Sequence, residues 1–163
     1  MTRGVTVDSF PVSLVLQCRR IARSGWSVPH WELLGVVAGE QAGTEAEAGR
    51  VVRDGDGCRR YLWNGFRLQL HRDGAESYWH NLVGRNPSLF VVLQQNDDGE
   101  MYPVRVSANY DEAGAHLEAD DTVLSAPMPP EVYRWLEDYV VTHYRPSEPK
   151  TRKRRRWTDE VRR

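Results

Sequence analysis

Residues 58–95, CRRYLWNGFRLQLHRDGAESYWHNLVGRNPSLFVVLQQ, constrain the fold more than any other stretch of the chain. They read as apolar runs separated by turn residues, and most of the large apolar side chains lie in or beside them. Phe66, Leu68 and Leu70 alternate with Arg67, Gln69 and His71, the period-two pattern of a strand with one wet face. Asn64-Gly65 stands just before them and signals a hairpin, because a tight primed turn needs positive φ at both central residues. Asp73-Gly74 closes that strand and opens a further extended segment, Glu76 to Val83, which Asn86-Pro87 ends. Leu89 to Leu93 is a continuous apolar run, suited to a strand buried on both faces. The stretch specifies a sheet and says nothing yet of a reaction.

The flanking sequence extends this pattern. Phe10 to Cys18 reads as a first strand, with Pro11 near its start, where a missing donor does least harm. Arg19, Arg20 and Arg23 follow, then Ser24-Gly25 as a turn. Trp26 and Trp31 bracket a corner ahead of a second strand, Glu32 to Ala38. Two such rings bury large apolar area when they cap a core, or present it to a partner when they do not. Residues 39–49, GEQAGTEAEAG, are small and acidic without periodicity, the composition of a mobile surface loop. Arg50 to Arg53 is a short strand and Asp54-Gly55-Asp56-Gly57 a turn. That run lacks the remaining ligands and the closing Glu of a calcium loop. Tyr102 to Ala108 is a later strand, after a turn at Asn96-Asp97-Asp98-Gly99, and Val123-Leu124 a brief extended piece.

Two helices are expected. Asn109 with Glu112 three residues on resembles a capping box and starts a short helix over Tyr110 to Glu118. Pro130 and Glu131 open the second, where a proline and an acid suit the first turn. Val132, Trp135, Leu136, Tyr139, Val140 and His143 then form one apolar stripe, and Pro146 stops the helix. This helix is expected to lie across the sheet and complete its core.

At 163 residues, 40% of them hydrophobic and with six Trp and seven Tyr, the chain is expected to form one packed domain. The overall charge of −1 hides a division. Residues 146–163 hold eight Lys/Arg against three acids, a net +5 that leaves −6 on the rest. That segment has no apolar face to bury, so it is expected to be a disordered basic tail. Residues 1–9 are expected to be a flexible leader, with residues 10–145 as the single domain. Cys18 and Cys58 form no CxxC, which points to free thiols in a reducing compartment. The run Val12 to Leu16 is too short for a signal peptide, and none approaches the roughly 20 apolar residues of a membrane span. A cytoplasmic protein is the expectation.

The motifs of catalysis are scarce. No glycine-rich phosphate loop follows the first strand, where Gln17-Cys18-Arg19-Arg20 stands instead. No GxSxG elbow is present. His30, His71, His80, His116 and His143 show no metalloprotease spacing. His71 and His80, with Glu76 and Cys58, are the one grouping that adjacent strands would bring together, and exposed strand histidines are the simpler reading. The expected cofactor is therefore none, and an enzyme is not the favoured class. The tail offers binding instead, through Lys150, Arg152, Lys153, Arg154, Arg155 and Arg156 with Trp157 as an apolar anchor. Such a run docks on an acidic protein surface or on nucleic acid with salt-dependent affinity. The acidic body and the absence of a nucleic-acid-binding motif argue against dedicated sequence readout.

The landmarks in their order resemble a bacterial family, domain-of-unknown-function family 3305. They are Phe10-Pro11-Val12 and Arg19-Arg20; Trp26, Trp31 and Gly35-Val36; and Leu68-Gln69-Leu70-His71-Arg72 with Glu76, Tyr78 and Asn81. Pro87 to Leu93, Ser107 to Ala113, Pro127-Met128-Pro129 and the basic end complete the set. The resemblance spans residues 10 to 156. It implies genes beside those of molybdenum-dependent formate dehydrogenase, and a label of molybdopterin-guanine dinucleotide biosynthesis protein. It carries no catalytic residues over to this chain. The neighbourhood implies an accessory role and the label a nucleotidyltransferase, which the missing glycine-rich loop disfavours.

The expectation is an α+β domain: a curled or barrel-like antiparallel sheet packed by a C-terminal helix, with a disordered basic tail. Its expected function is that of a non-enzymatic accessory or assembly protein. Its partner would be a protein, such as a formate dehydrogenase subunit, bound through Trp26, Trp31 and the tail. The alternatives are a molybdenum-cofactor biosynthesis enzyme and a nucleic-acid binder.

Overall fold

The computed structural model describes residues 8–39 and 50–145. The expected leader through residue 7, residues 40–49 of the acidic loop, and the basic tail lie outside the described residues. A hairpin of β1 (Ser9–Arg23) and β2 (Trp26–Ala38) is followed by a second, β3 (Arg50–Gly55) and β4 (Cys58–Gln69). A single 3-10 turn, Arg72–Gly74, leads into α1 (Ala75–Val83). Then come β5 (Ser88–Gln95), β6 (Met101–Ser107), α2 (Tyr110–Glu118), β7 (Thr122–Pro127) and α3 (Pro130–His143).

All strand pairings are antiparallel, and they fall into two sheets, ordered β2-β1-β4-β3 and β6-β5-β7. The mixed α+β architecture with a packing C-terminal helix agrees with the sequence. The curled ladder takes a different form: α1 divides it, β2 comes up beside β7 and β4 beside β6, and neither sheet closes.

Val12, Leu14 and Leu16 of β1 are fully buried, as are Leu68 of β4 and Leu89, Val91 and Leu93 of β5. Helix α3 completes this core with Val132, Leu136, Tyr139 and Val140, the stripe its spacing predicts. Trp135 is half-buried, its ring 5.2 Å from that of Phe10. Asn109 caps α2 by accepting the N–H groups of Asp111 and Glu112, which satisfies two donors the helix cannot pair internally.

Three local expectations are corrected. The corner expected between Trp26 and Trp31 is strand, since β2 begins at Trp26 and pairs with β1 throughout that span. Asn64-Gly65 does not turn the chain; it lies inside β4, where two residues oppose Ser13 alone. Gly65 has φ 83, so the positive φ that the dipeptide favours makes a bulge rather than a hairpin. Ser13 Oγ donates to Asn64 Oδ1 at 2.8 Å, and both side chains are buried. Glu76 to Val83 is not extended but is the body of α1. Ala75, Tyr78 and Leu82 face inward at helical spacing. Tyr78 Oη accepts the backbone N–H of His71 at 3.0 Å, which ties the helix to the strand exit.

Further bulges insert Leu34 in β2, Val52 in β3 and Val104 in β6, each the extra residue at a register shift. All three are exposed. Their exposure follows from the bulge, which takes the residue out of the alternation, and marks no docking surface.

Candidate functional site

The β1–β2 hairpin outruns its sheet. Its ladder continues from Val12↔Ala38 to Arg23↔Trp26, whereas β4 pairs with β1 only as far as Arg19↔Cys58. A hydrogen bond from Arg20 N–H to Gly57 O, 3.1 Å, ties the ribbon to the turn just before β4. From Ile21 to Val28 the two strands pair only with each other among the described residues. Ser24 and Gly25 close the ribbon with φ 50 and 80, the left-handed pair that a two-residue hairpin turn requires.

The ribbon is basic and aromatic. Cross-strand pairs Arg19↔His30, Ile21↔Val28 and Arg23↔Trp26 share one face, since partners opposite each other point the same way. Trp26 is 75% exposed at the tip. Arg20 donates through Nη1 to the Ser27 carbonyl at 3.4 Å. Among the described residues Arg19, Arg20 and Arg23 have no ion pair; the nearby Glu32 is 3.3 Å from His30 Nε2. The arm thus presents three arginines without an ion pair among the described residues and a large exposed ring. Asp54, Asp98 and Glu100 stand beside Arg20 around one cavity.

Trp31 points elsewhere. Five residues along an unbroken strand puts it on the face opposite Trp26, where it stacks on Tyr61 with ring centroids 5.7 Å apart. It lines a cavity of about 480 Å³ together with Cys18, Cys58 and Arg59. Arg59 Nη2 is held by Asp54 Oδ2 at 3.2 Å. Both cysteines are free, and burial pushes the Cys18 thiol up from its ordinary value, with Arg20 partly offsetting it. A raised thiol is a weaker nucleophile at neutral pH. The two tryptophans expected to form one binding surface therefore occupy two faces of β2.

The grouping of His71, His80, Glu76 and Cys58 is not assembled. His80 Nε2 lies 3.7 Å from Glu76 Oε1 one turn away on α1. His71 engages Tyr78 through its backbone, and Cys58 sits at the root of the ribbon. Among the described residues no group of three His, Cys, Asp or Glu is placed to hold a metal. Lys150, Arg152, Lys153, Arg154, Arg155, Arg156 and Trp157 lie outside the described residues. Sequence reasoning missed the ribbon arginines as a binding group. The signal was present in Arg19-x-x-x-Arg23 beside Trp26, but only the hairpin register puts them on one face.

Among the described residues no helix is long and apolar enough to cross a membrane. The family model described as "Protein of unknown function (DUF3305)" matches residues 11–155. No curated protein and no solved structure matches the chain. The chain belongs to the DUF3305 family.

Proposed function

We propose that this member of the DUF3305 family is a non-enzymatic accessory or assembly protein that docks on an acidic surface of a protein partner through the β1–β2 ribbon. The basic segment 146–163 is its second contact, and the partner is a subunit of a molybdenum-dependent formate dehydrogenase. The observation that carries the reading is the unsupported ribbon bearing Arg19, Arg23 and Trp26 on one face. Isolated two-stranded ribbons are marginal in water, so a projecting one gains order from what it binds. Arginine and tryptophan are the residue types that concentrate binding energy in protein interfaces. The genomic neighbourhood implied by the family resemblance supports the choice of partner.

The test is affinity purification from the native host with three baits: the full chain, the full chain with Arg23→Glu and Trp26→Ala, and a chain ending at Pro146. The expected result is formate dehydrogenase subunits on the full chain, with recovery reduced at least about tenfold by the double substitution. Equal recovery on the substituted bait would remove the ribbon from the interface. Recovery of polynucleotide that elutes as salt rises, without a protein partner, would replace the reading with nucleic-acid binding.

A further inference from the structure

A different kind of concavity lies against α3 and shares no lining residue with the Trp31 cavity. A cavity of about 550 Å³ lies between the loop after α1 and the first turn of α3, within the roughly 300–1,000 Å³ of small-molecule sites. Met128 and Pro87 supply apolar lining, and Tyr133 contributes a ring whose hydroxyl donates to Leu82 O at 3.4 Å. Arg85 and Arg134 line it as well, both exposed, and neither has an ion pair among the described residues.

The loop carrying Arg85 is fixed rather than free. Asn81 Nδ2 donates to Ser88 O at 2.7 Å and to Ala108 O at 2.9 Å, and its Oδ1 accepts the Ser88 N–H at 3.0 Å. Met128 N–H donates to Pro87 O at 2.9 Å, joining the loop to the segment that enters α3. Arg85 and Arg134 thus both line an apolar hollow whose loop wall is fixed. Opposing charges nearby are Glu131 in the first turn of α3, Asp138 one turn beyond Arg134, and Asp111, which lines the adjoining cavity with Arg85. A second cavity of about 600 Å³ shares Arg85 and reaches the edge-to-face pair Phe90 and Tyr110.

We propose that this cavity binds a small organic anion, its phosphate or carboxylate held between Arg85 and Arg134 and a flat apolar body set against Tyr133 and Met128. Arginine forks match both oxyanions in geometry and charge, and the apolar lining rewards a ligand that carries a ring as well as the charge. The site is separate from the ribbon and stands or falls without it.

The experiment is isothermal titration calorimetry on the full chain. The probes are adenosine 5′-monophosphate and benzoate, with adenosine and inorganic phosphate as single-feature controls. The expected result is binding of at least one flat anion, with its matching control at least about tenfold weaker. Arg85→Ala and Arg134→Ala each weaken that binding at least about tenfold, while Trp26→Ala leaves it unchanged. Unchanged melting curves for both arginine variants separate loss of the site from loss of the fold. Failure of both anions to bind at about 10 mM, far above the roughly millimolar range of weak sites, overturns the proposal. So does binding that survives both arginine substitutions. Saturation by an acidic peptide with neither anion binding also overturns it, in favour of a protein-docking groove.

Discussion

The root and the tip of the β1–β2 hairpin are built from the same two strands and behave as different materials. At the root, Val12, Leu14 and Leu16 are sealed between β2 and β4 and covered by the second sheet and α3. At the tip, Ile21 to Val28 pair only with one another among the described residues. Strand pairing alone does not make a stable element; a third strand and a covered face do. The chain spends its apolar residues on the root and its arginines on the tip.

Five substitutions, one of them extended to a double variant, probe that contrast from the largest expected effect to the smallest. Leu14→Ala should destabilise by about 2–5 kcal/mol in chemical denaturation; a loss under about 1 kcal/mol would deny that the root is packed core. Asn64→Leu leaves the buried Ser13 hydroxyl without its acceptor and should cost about 1–3 kcal/mol. Adding Ser13→Ala to it should recover part of that loss, which a double-mutant cycle reads. Tyr78→Phe removes the acceptor of the His71 N–H and should cost about 1 kcal/mol. Tyr139→Phe, which removes a buried hydroxyl lacking a partner among the described residues, should cost nothing measurable or stabilise. Trp26→Ala at the tip should change stability by less than about 0.5 kcal/mol, and a larger loss would mean that the ring is packed.

The same two tyrosines set an alkaline limit on the root. Burial raises both above the ordinary 10.0. The folded state therefore keeps protons that the unfolded state releases, and the stability this gives is full below pH 10.0 and lost as pH rises through the higher folded values. Thermal melts at rising pH should show the decline begin near that point, and a flat profile to pH 11 would contradict the burial of these rings.

Much of this was legible in the sequence. β1, β5, α2 and α3 follow from alternation, an unbroken apolar run, a capping residue and a proline start. Two of the misreadings came from turn dipeptides taken without their surroundings, and a third, at Trp26 and Trp31, from taking strand for a corner. Gly65 did carry positive φ, though Asn64 did not, and whether that makes a turn or a bulge depends on β1, about fifty residues away. Ala75, Tyr78, Trp79, Leu82 and Val83 have the i, i+3, i+4, i+7, i+8 spacing of a helix, a signal obscured by treating Asp73-Gly74 as a hairpin turn. The Arg85–Arg134 cavity left no local trace, since its halves are brought together only when α3 packs on α1.

The bulge that Ser13 and Asn64 pin also bears on how the chain reaches its fold. β1 with β2, and β3 with β4, are neighbours in sequence and can form as separate hairpins. The β1–β4 seam joins them across a separation of 51 residues at the Ser13–Asn64 hydrogen bond. Closing so long a loop is an entropic cost met before its contacts repay it. The seam is therefore the expected late step of folding, and the serine–asparagine pin selects its register at the moment of closure. Pulse-labelled hydrogen exchange should protect hairpin amides before seam amides, and simultaneous protection would show that the two hairpins never exist apart.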